Sequence, residues 1–264
     1  MLKENTLFGV EDKVATAIDL IRQHEPPNGY YVAFSGGKDS VVILDLVKRA
    51  GVKYDAHFHL TTVDPPELIY FVRQHYSDVI VERPKLTMWQ LIEKHKIMPS
   101  RLIRYCCREL KESNDKGRWV ITGVRAAESP RRAKRKEVEE KRDERGSYFV
   151  HPIFRWSDTD VWDYIRGNNI PYCKLYDEGY TRIGCIMCPL ASAKSIKRDM
   201  ERYPRVVENY KRAYMRMLLK RRNPLEGKAA EEAWQHEINL LLKPKIAKSC
   251  NSIPLFSDDD GSVM

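Results

Sequence analysis

One stretch constrains the fold more than any other: Tyr30-Tyr31-Val32-Ala33-Phe34-Ser35-Gly36-Gly37-Lys38-Asp39-Ser40. Tyr30 to Phe34 are apolar or aromatic and, Ala33 apart, β-branched or ring-bearing, so they read as a buried strand. Val41 to Val47 has the length and apolar face of a helix. Between the two lies a turn with two glycines, a lysine and serine hydroxyls. Such a strand–turn–helix unit makes a phosphate site. Gly36 and Gly37 can adopt backbone angles closed to other residues, which lets N–H groups converge on an anion. The helix adds free N–H groups and the positive end of its dipole. Ser35 and Ser40 add hydroxyl donors, and Lys38 adds a mobile charge.

The turn is not a Walker A loop, which separates its glycines by four residues and follows lysine with Ser or Thr. Here the glycines are adjacent and Asp39 follows Lys38. Ser-Gly-Gly-Lys-Asp-Ser instead resembles the PP-loop of ATP pyrophosphatases and adenylyl-sulfate reductases. That resemblance implies chemistry at the α-phosphate side of an adenine nucleotide.

Further along, Tyr54 to Leu60 reads as a second strand, ending in Thr61-Thr62-Val63-Asp64. Ligands sit at the carboxyl ends of parallel strands, so Thr61, Thr62 and Asp64 either face the nucleotide or cap the turn. Arg118 to Thr122 reads as another strand, leading into Gly123-Val124-Arg125-Ala126-Ala127-Glu128. Guanidinium forks match phosphate and sulfate oxygens, which makes Arg125 and Arg132 oxyanion candidates and Glu128 a group to orient one of them. A leading helix is expected over about residues 10–24, and an exposed helix or loop over Lys134 to Gly146. A helix capped by Ser157 is expected to follow Trp156, and basic helices to fill about 190–247.

The 264 residues suit one substantial domain, read as an α/β nucleotide-binding unit over 1–190 with a basic helical extension over 191–264 packed on it. No run approaches a bilayer-spanning length, and the first residues lack the apolar core of a signal peptide; a cytoplasmic protein without a membrane partner is expected. The net charge of +9 allows nucleic acid or phosphorylated small molecules as partners.

Six cysteines in such a chain favour metal or redox chemistry over disulfides. Four form tight pairs, Cys106-Cys107 and Cys185-x-x-Cys188. Together they could supply the ligands of a [4Fe–4S] cluster or a zinc site. Adjacent side chains diverge, which a cluster tolerates better than one tetrahedral ion.

The PP-loop, Gly123-Val124-Arg125-x-x-Glu128-Ser129, His151-Pro152-Ile153 with Asp160-Val161-Trp162, and Tyr180-x-x-Ile183-Gly184-Cys185-x-x-Cys188 together resemble the phosphoadenosine phosphosulfate (PAPS) reductase family. The cysteine pattern resembles its subgroup acting on adenosine 5′-phosphosulfate (APS). The resemblance implies a HUP-type parallel sheet with helices on both faces, an adenine nucleotide in the PP-loop and a [4Fe–4S] cluster on Cys106, Cys107, Cys185 and Cys188. It implies nucleotide contacts at Ser35, Gly36, Gly37, Lys38, Asp39, Ser40, Thr61, Gly123, Arg125 and Glu128, with Lys38, Asp39 and Arg125 catalytic. One departure stands out. Family reductases carry a nucleophile in a C-terminal Glu-Cys-Gly-x-His motif, whereas the only C-terminal cysteine here is Cys250, in Lys248-Ser249-Cys250-Asn251-Ser252.

That departure, with the basic charge, leads to an expected ATP pyrophosphatase-like enzyme of sulfur metabolism. It would use Mg²⁺, adenylate an acceptor such as DNA or RNA for sulfur insertion, and draw sulfur from a cysteine desulfurase or other donor protein. The alternatives are an APS/PAPS reductase producing sulfite, and a non-catalytic nucleotide-binding subunit of a sulfur-transfer complex.

Overall fold

The computed structural model describes residues 2–6, 9–111, 115–142 and 145–243. A short hairpin, β1 (Lys3–Thr6) and β2 (Gly9–Asp12), precedes α1 (Lys13–Gln23). The helix therefore starts later than apolar spacing suggests. Asp12 sets its start, because its carboxylate accepts the N–H groups of Val14 (3.0 Å) and Ala15 (3.1 Å).

The main sheet holds β3 (Tyr30–Ala33), β4 (Tyr54–His59), β5 (Ile80–Glu82), β6 (Val120–Ile121), β7 (Val138–Glu140) and β8 (Tyr148–Val150), in the order β5-β4-β3-β6-β8-β7. All neighbours run parallel except β7 against β8. The sheet is thus mixed at one edge. The charged stretch from Lys134, expected as helix or loop, supplies that edge strand, where alternate charged side chains can stay in water. From β3 the chain builds outward through β4 to β5, then returns to place β6 on the other side of β3. The order reverses at β3, and the loops leaving β3 and β6 flank the resulting crevice.

Helices α1, α2 (Lys38–Ala50), α3 (Pro66–His75) and α6 (Asp158–Gly167) share one core with one sheet face, through Ile21, Val42, Leu46, Phe71, Val161 and Tyr164 against Val32, Phe58 and Val150. The opposite face carries a smaller cluster of Tyr31, Val120 and Phe149, to which no helix contributes among the described residues. Beside it His57 stacks on Tyr31 with ring centroids 4.3 Å apart and lies between Asp55 and Glu82.

A second core lies outside the sheet. It joins α4 (Met88–His95) and α5 (Tyr105–Leu110) to α8 (Pro204–Leu219) and α9 (Gly227–Leu242), through Leu91, Ile92, Tyr105, Tyr210, Met217 and Trp234. Against α8 and α9, α7 (Ala193–Arg202) contributes Asp199, which accepts the Met187 N–H at 3.1 Å. Among the described residues no helix is long and apolar enough to cross a membrane.

Candidate functional site

The glycine turn sits where β3 leaves the sheet. Gly36 has φ +70°, and a Cβ there would meet Leu68 Cδ1 at 2.7 Å and Val72 Cγ2 at 2.9 Å. Only glycine fits that angle and that approach of α3. Gly37 caps α2 without a side-chain bond, leaving the turn's donors for other groups. The Lys38 N–H donates to the hydroxyl of Tyr176 at 2.8 Å. Ser35 Oγ donates to Ser40 Oγ at 3.3 Å, and Ser40 Oγ donates to the Gly37 carbonyl at 2.9 Å.

A closed ion network completes this region. Arg125, from the loop after β6, is buried; its Nε donates to Asp39 Oδ1 at 2.6 Å, its NH1 to the Trp156 carbonyl at 3.2 Å and its NH2 to Asp158 Oδ1 at 2.9 Å. Lys38, also buried, places Nζ 3.0 Å from Asp39 Oδ2 and 3.2 Å from the same Asp158 oxygen. Burial pushes the Asp158 carboxyl up, but Lys38 and Arg125 outweigh it and hold the pKa below the usual carboxylate value. Gly123 brings the two loops together: a Cβ there would lie 2.9 Å from Asp39 Cβ and 3.0 Å from its carbonyl carbon. Glu128 accepts the Arg125 N–H at 3.0 Å and pairs with Arg132.

The cysteines gather elsewhere. Cys106, Cys107, Cys185 and Cys188 line one cavity of about 290 Å³, with Thr61, Arg104, Lys111 and Arg198. None of Ser35 to Ser40, nor Gly123, Arg125 or Glu128, lines it. Within the adjacent pair, the hydrogen bond from Cys106 lowers the pKa of Cys107 against the opposing effect of burial, helped by Lys111 and Arg104; Cys106 is raised. Arg104 NH2 lies 3.7 Å from Cys107 Sγ. Burial raises Cys185, whose thiol donates to Thr61 Oγ1 at 3.5 Å. Lys111 keeps its proton firmly: burial alone would lower its pKa, but Cys185, Asp64 and Cys107 raise it.

This geometry corrects the expected metals. Among the described residues, no group of three or more His, Cys, Asp or Glu side chains is placed to hold a metal ion, so neither a [4Fe–4S] cluster nor Mg²⁺ has a fitting donor set here. Cys106 and Cys107, consecutive on α5, are hydrogen-bonded to each other. Arg104 and Lys111 already supply positive charge beside the thiols.

The remaining candidate residues divide accordingly. Thr61 builds its own turn, its N–H and Oγ donating to Asp64 at 2.6 and 2.8 Å, while Thr62 Oγ1 accepts the Met88 N–H at 2.9 Å. Cys250 lies outside the described residues. In the basic helices several cations are engaged: Arg216 and Lys220 pair with Glu93, Lys211 with Glu231, and Arg202 with Glu67 and Glu178. Sequence reading overlooked Asp158, Tyr176, Arg104 and Lys111. Only Asp158 carried a local signal, beside the Ser157 cap, and it pointed to helix capping.

An order reversal with a glycine turn at the carboxyl end of a central strand is the layout of a general α/β nucleotide-binding fold. Residues 29–191 match the phosphoadenosine phosphosulfate reductase domain model, and the chain belongs to that family. It is 30% identical over 217 residues to an uncharacterized protein of Methanocaldococcus jannaschii, covering 77% of this chain and 45% of that protein. A second Methanocaldococcus protein is 33% identical over 67% of this chain and 46% of its own length, so the chain spans about half of each of these relatives. An adenosine 5′-phosphosulfate reductase of Oceanobacillus iheyensis is 33% identical over 173 residues, 59% of this chain and 69% of that protein. In fold the chain is similar to a Candida auris phosphoadenylyl-sulfate reductase (TM-score 0.50, 23% identity, 64% of this chain and 88% of that one).

Proposed function

We propose that this protein binds an adenylyl sulfate, with APS as the first candidate, and reduces its sulfate group to sulfite. The carrying observation is the gathering of four thiols, with Arg104 and Lys111 beside Cys107, around one cavity. Reducing sulfur(VI) to sulfur(IV) requires two electrons, which a pair of thiols holds. Cleaving ATP between its α- and β-phosphates requires none, so the cavity favours reduction over the ATP-cleaving reading, and so does similarity to named APS reductases.

The nucleotide's anionic oxygens would meet the turn N–H groups, Ser35, Ser40, Lys38 and Arg125, while Gly36 and Gly123 let these elements approach. A cysteine thiolate would attack the sulfate sulfur; an S–S bond forms as the S–O bond to AMP breaks. A second thiolate would then attack the cysteine sulfur, forming a disulfide and releasing sulfite. An external dithiol would return the disulfide to thiols. Among cavity groups, Cys107 is best suited to attack, since its thiolate is favoured; Cys250 remains the candidate from sequence.

The test is a product assay. Protein supplied with APS or PAPS and dithiothreitol is expected to yield sulfite and the matching adenosine phosphate. Pyrophosphate from ATP, with no sulfite from either phosphosulfate, would overturn the proposal.

A further inference from the structure

Lys38 Nζ and Arg125 NH2 both point at one atom, Asp158 Oδ1, at 3.2 and 2.9 Å. Two cations converging on one oxygen is how a protein holds a tetrahedral oxyanion. We propose that Asp158 is an internal occupant of an oxyanion subsite, and that a phosphate or sulfate oxygen of the incoming ligand displaces it. This rests on the nucleotide-binding reading of the same turn.

Exposure identifies the member that moves. The Asp158 side chain is 65% exposed, whereas those of Lys38 and Arg125 are 7% and 3% exposed. Asp158 already meets water and can rotate into it; the two cations are enclosed and cannot. Asp39, their other shared partner, is only 22% exposed and bonds both cations through separate oxygens.

The bonds that survive make the same point. When Asp158 leaves, Arg125 keeps Asp39 on Nε and the Trp156 carbonyl on NH1, and Lys38 keeps Asp39. One donor on each cation is released, and both face the vacated point. Charge follows. Lys38, Arg125, Asp39 and Asp158 sum to zero; without Asp158 the set carries one positive charge, as an anion requires. The α6 cap is unaffected, since Ser157 and Asp160 form it reciprocally. Asp158 therefore acts as a competitor that raises the ligand concentration needed to fill the subsite.

The experiment is equilibrium titration of wild type, Asp158→Asn and Asp158→Ala with APS and, separately, inorganic pyrophosphate. The buffer contains 0.3 M KCl, which screens long-range charge but leaves contact competition in place. Both variants are expected to bind roughly threefold to tenfold tighter than wild type, the size of losing one partly exposed ionic competitor. Equal or weaker binding by both variants would overturn the inference, marking Asp158 as a support that holds Lys38 and Arg125 in place. If pyrophosphate binds more tightly to the variants while APS binds to none of the proteins, the inference holds and the adenylyl-sulfate reading fails. If neither compound binds any of them, both fail.

Discussion

The glycine turn and the thiol cavity lie at the carboxyl edge of one sheet and are built in opposite ways. The turn comes from contiguous residues, Ser35 to Ser40, closed by Arg125 and Asp158 into a network in which carboxylates answer each cation. The cavity comes from separated segments: Thr61 after β4, Arg104 to Lys111 around α5, Tyr180 to Ser192, and the helices beyond. Its thiols face a guanidinium and an ammonium group. Under the proposed reduction the first region would hold the anion and the second would supply electrons, so variants should affect the two separately.

The largest separation is expected from Lys38→Ala. Removing one preorganised cation from a developing anionic centre costs roughly 100- to 1,000-fold in turnover. Initial rates of sulfite release from APS measure it. The cavity thiols should meanwhile alkylate at the wild-type rate. Slower alkylation would mean the two regions are one electrostatic unit; undiminished turnover would remove Lys38 from the mechanism.

The same contrast explains what was legible in the sequence. The β3–turn–α2 unit declares itself because every requirement is local: β-branched and aromatic residues, then paired glycines, then an apolar helix face. The Ser157 cap was equally plain, being a contact across three residues. The cysteine pairs were visible as pairs, but nothing in their spacing shows that Cys106 hydrogen-bonds Cys107 and favours its thiolate. Arg104 and Lys111 looked like ordinary surface cations beside them, since their role depends on Cys185 and Asp64 arriving from other segments. Edge strand β7 was hidden for a related reason. A charged edge needs no alternating apolar pattern on its exposed side, so Val138-Glu139-Glu140 reads as exposed helix or loop.

A smaller effect tests the turn's support. Asp160, with its side chain 1% exposed, accepts the Ser157 N–H and hydroxyl at 2.8 Å each and pairs with Lys13 at 2.9 Å. Burial raises its pKa, but Lys13 and Ser157 more than reverse that and bring it to about 2, from an ordinary 3.8. A depressed carboxylate stabilises the fold above its unfolded pKa, and the contribution is lost as pH falls from there through the folded value. Asp160→Asn is thus expected to lower stability on the order of 2 kcal/mol at neutral pH. In urea unfolding, the gap from wild type should hold down to about pH 4 and close towards pH 2. A gap independent of pH would show that the lost stability comes from packing and not from the carboxylate charge.

The smallest effect belongs to the cavity and probes it alone. Lys111→Met keeps the length and apolar stem of the side chain but removes a cation that favours the Cys107 thiolate. The thiol pKa, about 5, then rises, the thiolate fraction at pH 5 falls, and alkylation by iodoacetamide at that pH should slow roughly threefold to tenfold. Peptide-resolved mass spectrometry can follow Cys107, with fully buried Cys173 as a slow internal reference. Pyrophosphate binding at the turn should not change, because Lys111 lines the cavity and the turn does not. An unchanged Cys107 rate would assign the thiolate's stabilisation to Cys106 and Arg104. A loss of pyrophosphate affinity would show that the cavity's charge reaches the turn, and that binding and electron supply are coupled after all.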